Sequence, residues 1–285
     1  MRLRPATDSD DTAASRFETD LVISAIHQYC GQDFSGYSLK SIQRLLENIL
    51  YDEELTHLSE LIPKIVHQEK FQRSIIDKLT VSYSQLFRDP DLFLQLKKHI
   101  LPLFSSYPRI SLWVAGCATG EEAYSLAILL EEAGLLDHSQ IYASDISAKA
   151  LAAAASGTLK FNLTDLDEQR YLASGGSKSL ADYFSSTPDP VLNKRLLSRI
   201  IFERHDLANQ ASFISAQLVL CRNVFIYFDR DLQNKVLALL LNSMTSRGYL
   251  AVGIEESIGF CSNIEKLELV SRKAGLYQKR SLRKL

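Results

Sequence analysis

The chain has 285 residues, 46% of them hydrophobic and 23% charged, with a formal net charge of -2. That length allows one large domain or two modest ones with ample core, and the near-neutral balance leaves no basic footprint for nucleic acid. No apolar run approaches the ~20 residues of a membrane span, and the polar start is unlike a signal sequence, so a cytoplasmic protein without membrane insertion is expected.

Cys30, Cys117, Cys221 and Cys261 form no Cys-x-x-Cys, and the six histidines have no ligand spacing. Reduced thiols and no metal are therefore expected.

Residues 1–16 have little to bury and read as a disordered tail. From Phe17 the pattern turns helical, with Phe17, Leu21, Val22, Ala25, Ile26 and Tyr29 taken as one face and Gly31 as the stop. Ser38 can cap a second helix carrying Ile42, Leu45, Leu46 and Ile49, and two further helices follow, the last with Phe71, Ile75 and Leu79. Residues 17–79 thus form a helical domain suited to recognition or packing.

A linker rich in hydroxyls follows, Thr80 to Pro90, containing Ser82, Ser84, Phe87 and Arg88. Asp89-Pro90 forces an extended or turn conformation before the next helix; Arg88 either serves a site or pairs with a neighbouring aspartate. A second, larger domain is expected over 80–285.

Its first unit is Ser111–Leu130. The run Leu112–Ala115, a turn bracketed by Gly116 and Gly120, and Ala123, Leu126, Ala127 and Leu130 at helical spacing read as strand, turn and helix. Such a turn lies at the carboxyl end of a strand beside a helix N-terminus, where glycines permit close approach of a ligand. The phosphate-binding glycine patterns are missing, and Glu121-Glu122 would repel a pyrophosphate. A cationic or hydroxyl-rich ligand fits better; the glycines could also be turn residues and the glutamates first-turn helix charges.

Gln140–Asp145 reads as a second strand ending in an acid, placed to accept hydrogen bonds from ribose hydroxyls. Residues 158–200 break the alternation and read as an inserted hairpin or small lobe. Ile200–Asp206 then resumes as a core strand. Gln217–Cys221 reads as the central strand, placing Arg222 and Asn223 in the crevice where doubly wound folds bind ligands. A strand from Tyr249 and a hairpin over 265–280 bring the count to about seven, and the cluster Lys279, Arg280, Arg283 and Lys284 reads as a solvated tail.

The ordered set Ser84-x-Leu-Phe-Arg88-Asp-Pro, Gly116-Cys-Ala-Thr-Gly-Glu-Glu-Ala-Tyr-Ser, Ala143-Ser-Asp-Ile, Cys221-Arg-Asn-Val-Phe-Ile-Tyr-Phe and Arg247-Gly248 resembles the chemotaxis receptor methyltransferases, the CheR family. The resemblance runs from about residue 17 to 280 and includes Asp33-Phe-Ser-Gly-Tyr37. It implies an α/β fold, a doubly wound class I S-adenosylmethionine-dependent methyltransferase sheet with an N-terminal helical domain and a small inserted β lobe. It also implies O-methylation of glutamate carboxylates on chemoreceptor cytoplasmic domains, giving glutamyl methyl esters and S-adenosylhomocysteine.

Carried over by position, the resemblance implies that S-adenosylmethionine touches Ser82, Ser84, Arg88, Gly116, Glu122, Asp145, Asp206, Leu207, Arg222 and Asn223. Arg88, Arg222 and Tyr227 would lie nearest the transferred methyl, and the lobe would resemble a subdomain that some members use to dock a receptor's tethering peptide. The family's usual Thr-x-Phe-Phe-Arg is Ser84-x-Leu86-Phe87-Arg88 here, its asparagines are replaced at Ser82 and Asp206, and the lobe is longer. The second helix carries only Lys40 and Arg44 as basic residues. The partner expected is a chemoreceptor, and the chain is expected to be a monomer.

The chemistry stands on its own terms. A glutamate of pKa ~4.3 is ionised at neutral pH, so methyl transfer from a sulfonium needs positioning rather than a general base. An arginine fork matches the carboxylate, and either Arg88 or Arg222 could supply it. Two rival readings are a same-fold methyltransferase acting on another carboxylate or small molecule, and a non-catalytic adaptor that binds the cofactor in signalling.

Overall fold

The computed structural model describes residues 13–80, 84–185 and 189–281. They form two compact units, one comprising the chain through Thr80 together with Tyr227–Asp229 and the other comprising the remainder.

The first unit contains α1 (Ala13–Cys30), α2 (Leu39–Asp52), α3 (Leu61–His67) and α4 (Glu69–Leu79). Ser38 caps α2, its hydroxyl accepting from the Ser41 amide at 3.4 Å, and Ile42, Leu45, Leu46 and Ile49 turn inward as their spacing predicts. Of the expected disordered tail, residues 1–12 lie outside the described residues and 13–16 are helical. Helix α1 begins at Ala13, where two alanines favour the helix and the Thr19 hydroxyl donates to the Ser15 carbonyl oxygen at 2.8 Å.

The inward stripe of α1 is Thr19, Val22, Ala25 and Ile26, while Phe17 is 64% exposed and Leu21 and Tyr29 also face outward. Phe17 lies five residues before Val22, roughly 140° around the helix, so one apolar set could not share a face. Tyr227–Asp229 pairs with the segment before α2: the Ser38 amide donates to the Tyr227 carbonyl oxygen at 2.8 Å and the Asp229 amide to that of Gly36 at 2.9 Å. The Tyr37 and Phe228 rings meet edge to face at 5.3 Å.

The second unit is built on one seven-stranded sheet of order β3-β2-β1-β4-β5-β7-β6. Its strands are β1 (Ile110–Ala115), β2 (Ser139–Asp145), β3 (Ile200–Arg204), β4 (Ala216–Cys221), β5 (Met244–Val252), β6 (Leu267–Ser271) and β7 (Leu276–Lys279). Strands β1 to β5 are parallel, and the terminal hairpin β6-β7 adds antiparallel to β5. The order reverses between β1 and β4, and a ligand crevice opens at the carboxyl ends of strands at such a switch point. Strand β3 is an edge, with Ile201 41% exposed, rather than the core strand expected.

Helices α5 (Pro90–Gln95), α6 (Leu101–Phe104), α7 (Glu121–Glu132), α8 (Ala148–Ala155), α9 (Asp165–Ala173), α10 (Lys194–Leu197) and α11 (Arg230–Asn242) complete the unit. A π segment, Leu96–Ile100, joins α5 to α6 just before Pro102, whose missing amide interrupts the α-helical ladder.

The segment 158–200 is helical where a β lobe was expected. It contains α9, a 3-10 turn Leu180–Tyr183 and α10, and its sheet-like pairings among the described residues are the bridges Thr158–Val191 and Phe184–Leu192. Thr164 and Asp167 form a capping box that starts α9. Tyr171, Leu180, Leu192 and Leu196 join the main core, so the described part of the insertion packs against it.

The basic cluster near the end is also no simple tail. The Lys279 ammonium donates to the carbonyl oxygens of Leu241 at 2.7 Å and Met244 at 2.9 Å, capping the end of α11, and Arg280 donates to Leu267; Arg283 and Lys284 lie outside the described residues.

Candidate functional site

The site is built where β1, β2 and β4 end. After Ala115 the chain turns through Gly116 (φ 80°), Ala118 (φ 48°) and Gly120 (φ 98°) into α7. The amides of Gly116 and Cys117 both donate to the Ser144 carbonyl oxygen, at 2.8 and 2.9 Å, locking the turn to the end of β2. A Cβ on Gly116 would fall 2.5 Å from the Val224 side chain, and one on Gly120 would fall 2.9 Å from Tyr124 and Ala154. Both glycines are therefore demanded by backbone conformation and by protein packing.

Asp145 closes β2. One carboxylate oxygen accepts from the Ala118 amide and the other from the Ser147 amide, each at 2.9 Å, so the acid is fixed against the central turn while half-buried.

Glu121 and Glu122 open α7. Glu121 is buried, accepts from the Thr119 hydroxyl at 2.6 Å and has the Ser84 side chain against it; burial pushes its carboxyl pKa up. Burial likewise raises the Cys117 thiol, reinforced by Asp145, which makes it a poor nucleophile.

Arg222 follows β4 with a side chain 1% exposed. Its guanidinium donates to the Arg88 carbonyl oxygen at 3.0 Å, to the Asp89 carboxylate, and to Glu122 at 3.3 Å. That fork clamps the segment 84–89 onto the start of α7. The Phe87 amide adds a second tie, donating to the Ser125 hydroxyl at 2.8 Å. Phe87 (φ 49°) and Asp89 (φ 57°) are held in the left-handed region, a local cost of order 1–3 kcal/mol each that such clamps offset. The Arg88 guanidinium pairs with no side chain among the described residues.

Asn223 (φ 59°) sends its amide to the Glu256 carboxylate at 2.8 Å. Asp206 uses its carboxylate to cap its own turn, accepting from the Ala208 amide at 2.8 Å and the Asn209 side chain at 2.7 Å, while Leu207 is buried. The turn sits against β2, the His205 amide donating to the Asp145 carbonyl oxygen at 3.1 Å.

Ser84, Arg88, Gly116, Glu122, Asp145, Arg222 and Asn223 are thus joined through one chain of contacts at the sheet's carboxyl edge. Tyr227 belongs to the other compact unit, and Ser82 lies outside the described residues. Glu256, one acid in a loop, carried no sequence signal, and Asp89, read as a turn former and a possible partner of Arg88, pairs with Arg222 instead. No group of three or more His, Cys, Asp or Glu able to hold a metal occurs among the described residues.

Residues 82–284 match the family described as CheR methyltransferase, SAM binding domain. A Pseudomonas putida protein, Cher3, is 35% identical over 263 residues, covering 92% of this chain and 96% of its own length. Chemotaxis protein methyltransferase 1 of Pseudomonas aeruginosa is 26% identical over 262 residues, 86% of this chain and 92% of that protein. The chemotaxis protein methyltransferase of Vibrio anguillarum is 27% identical over 270 residues, 89% and 93%. Its doubly wound sheet, its switch-point crevice and this full-length similarity place the chain in the CheR methyltransferase family.

Proposed function

We propose that the chain transfers a methyl group from S-adenosylmethionine to glutamate side chains on the cytoplasmic domain of a chemoreceptor. The observation that carries this reading is the clamp of Arg222 on the 84–89 segment, which sets Arg88 beside the central turn with an uncommitted guanidinium. The relatives named chemotaxis protein methyltransferases support the choice of substrate.

The residues suit the cofactor. Asp145 presents a carboxylate anchored by two backbone amides at the end of its strand, and the acids Glu122 and Asp145 favour a cationic ligand. When bound, S-adenosylmethionine supplies an electrophilic methyl group on a sulfonium. Ser84, Arg88, Asn223, Asp206 and Leu207 complete the proposed binding set, and Tyr227 is proposed beside the methyl.

The incoming glutamate is already ionised and no proton has to move. Arg88 orients the carboxylate, whose oxygen bonds the methyl carbon as the sulfur–carbon bond breaks, giving an ester and a neutral thioether. Arg222 acts by holding the segment that carries Arg88. In-line positioning of this kind contributes on the order of 7–11 kcal/mol at best.

The test is incubation with methyl-labelled S-adenosylmethionine and receptor cytoplasmic fragments, followed by collection of base-released methanol. Base-labile label on the receptor supports carboxyl methylation. Absence of label together with tight S-adenosylhomocysteine binding overturns it in favour of another substrate or an adaptor role.

A further inference from the structure

The stretch between Arg222 and Tyr227 leaves β4 by a backbone path that regular structure does not support. Asn223 is left-handed at φ 59°, and a 3-10 turn, Phe225–Tyr227, follows at once. The amides along it need acceptors from elsewhere.

A single side chain supplies them. The Glu256 carboxylate accepts from the amides of Asn223 at 2.8 Å, Gly253 at 2.6 Å and Ile226 at 3.3 Å, and the Phe225 amide also bonds to it. Glu256 is 8% exposed. Burial raises its pKa while these amides act in the opposite direction. A carboxylate suits the task because it offers two acceptor oxygens and no donor, so four convergent amides can be met at once.

The room for this carboxylate is specified as well. A Cβ on Gly253 would fall 2.7 Å from a Glu256 carboxylate oxygen and 3.1 Å from the Asn223 side-chain nitrogen. Any larger residue at 253 would push the carboxylate off its amides.

We infer that Glu256 is a positioning residue for methyl transfer, gathering the amides of Asn223, Phe225 and Ile226 so that the chain leaves Arg222 on the left-handed path that fixes residues 223–226 beside it. The inference rests on the methyl-transfer reading above. Arg222 is anchored separately, by Asp89, Glu122 and the Arg88 carbonyl, and Asp145 by Ala118 and Ser147. Loss of the Glu256 contacts therefore falls chiefly on turnover, and cofactor affinity drops only by the share that Asn223, one member of the proposed binding set, contributes. A merely structural role would lower the melting temperature without separating the two.

The full chain is compared as wild type, Glu256→Gln and Gly253→Ala. Glutamine keeps the shape but turns a donor toward the amides, and alanine displaces the carboxylate without altering it. The readouts are S-adenosylhomocysteine affinity by calorimetry, kcat on a receptor fragment, and hydrogen exchange of residues 223–226.

Both variants are expected to weaken S-adenosylhomocysteine binding by no more than about 3-fold, to lose kcat by about 10–100-fold, and to exchange faster at 223–226. Folded variants with wild-type kcat overturn the inference, as does a loss of cofactor affinity that accounts for the whole loss of rate. Should Glu256→Gln fail to fold, Gly253→Ala decides. A wild-type chain that methylates no receptor fragment defeats the functional reading instead, and unchanged protection of 223–226 in both variants then overturns the role of Glu256.

Discussion

The Arg222 guanidinium donates to the backbone carbonyl oxygen of Arg88 at 3.0 Å, so one arginine holds the other in place. The two were equivalent candidates by residue type, and the contact separates them. Arg222, buried and paired with Asp89 and Glu122, is committed to the fold; Arg88 has no side-chain partner for its guanidinium among the described residues. Arg222→Ala is expected to cost about 3–5 kcal/mol of stability by stranding two acids, and to abolish turnover. Arg88→Ala is expected to abolish turnover with little change in unfolding. Thermal melts alongside methyl-transfer assays check the contrast, and equal melting losses in both variants would contradict it.

Asp145 gives the second prediction. Its two oxygens each hold one backbone amide, which fixes the carboxylate at the strand end where the proposed function has it meet the ribose hydroxyls. Asp145→Ala should weaken S-adenosylhomocysteine binding by about 10–100-fold, the range for losing hydrogen bonds to a charged acceptor. Asp145→Asn should fall between, since its amide nitrogen cannot accept. Calorimetric titration checks both.

The site's skeleton was legible because it is local. A short apolar run, two glycines and a helical period announce the turn at Gly116–Gly120, and an acid ending the next strand announces Asp145. What was not legible depends on partners far along the chain. Glu256 meets Asn223 across 33 residues, and Glu132 meets Ser177 across 45, with no period or spacing to betray either. The insertion was misread for a related reason: Thr187, Pro188 and Pro190 look like hairpin punctuation, whereas burial of Tyr171, Leu180 and Leu192 in the main core decides how the segment folds.

Tyr227→Phe isolates one hydroxyl. The backbone of Tyr227 is engaged through its carbonyl, which accepts from Ser38 at 2.8 Å, and phenylalanine leaves that contact intact. The variant should fold and bind S-adenosylhomocysteine as wild type does while turning over about 10-fold more slowly, the worth of one well-placed hydrogen bond in the transition state. Single-turnover rates at saturating cofactor provide the measurement, and an unchanged rate would remove Tyr227 from the site.

Glu132 sets the acid stability of the insertion. Its side chain, 2% exposed, accepts from the Lys97 ammonium at 2.8 Å, the hydroxyls of Tyr171 at 2.6 Å and Tyr183 at 3.1 Å, and the amide and hydroxyl of Ser177 at 3.0 and 2.8 Å. Burial alone would raise its pKa, but these donors outweigh burial and bring it down to about 2. A folded pKa below the unfolded value of about 4.5 means that the contribution is complete above that pH. It drains away as pH falls from about 4.5 to about 2. Glu132→Gln, which cannot ionise, should lower stability at pH 7 and flatten the pH dependence across that window, so that the two proteins converge near pH 2. Chemical denaturation at stepped pH reads this directly, and parallel curves for wild type and variant would show that the Glu132 charge does not hold the segment.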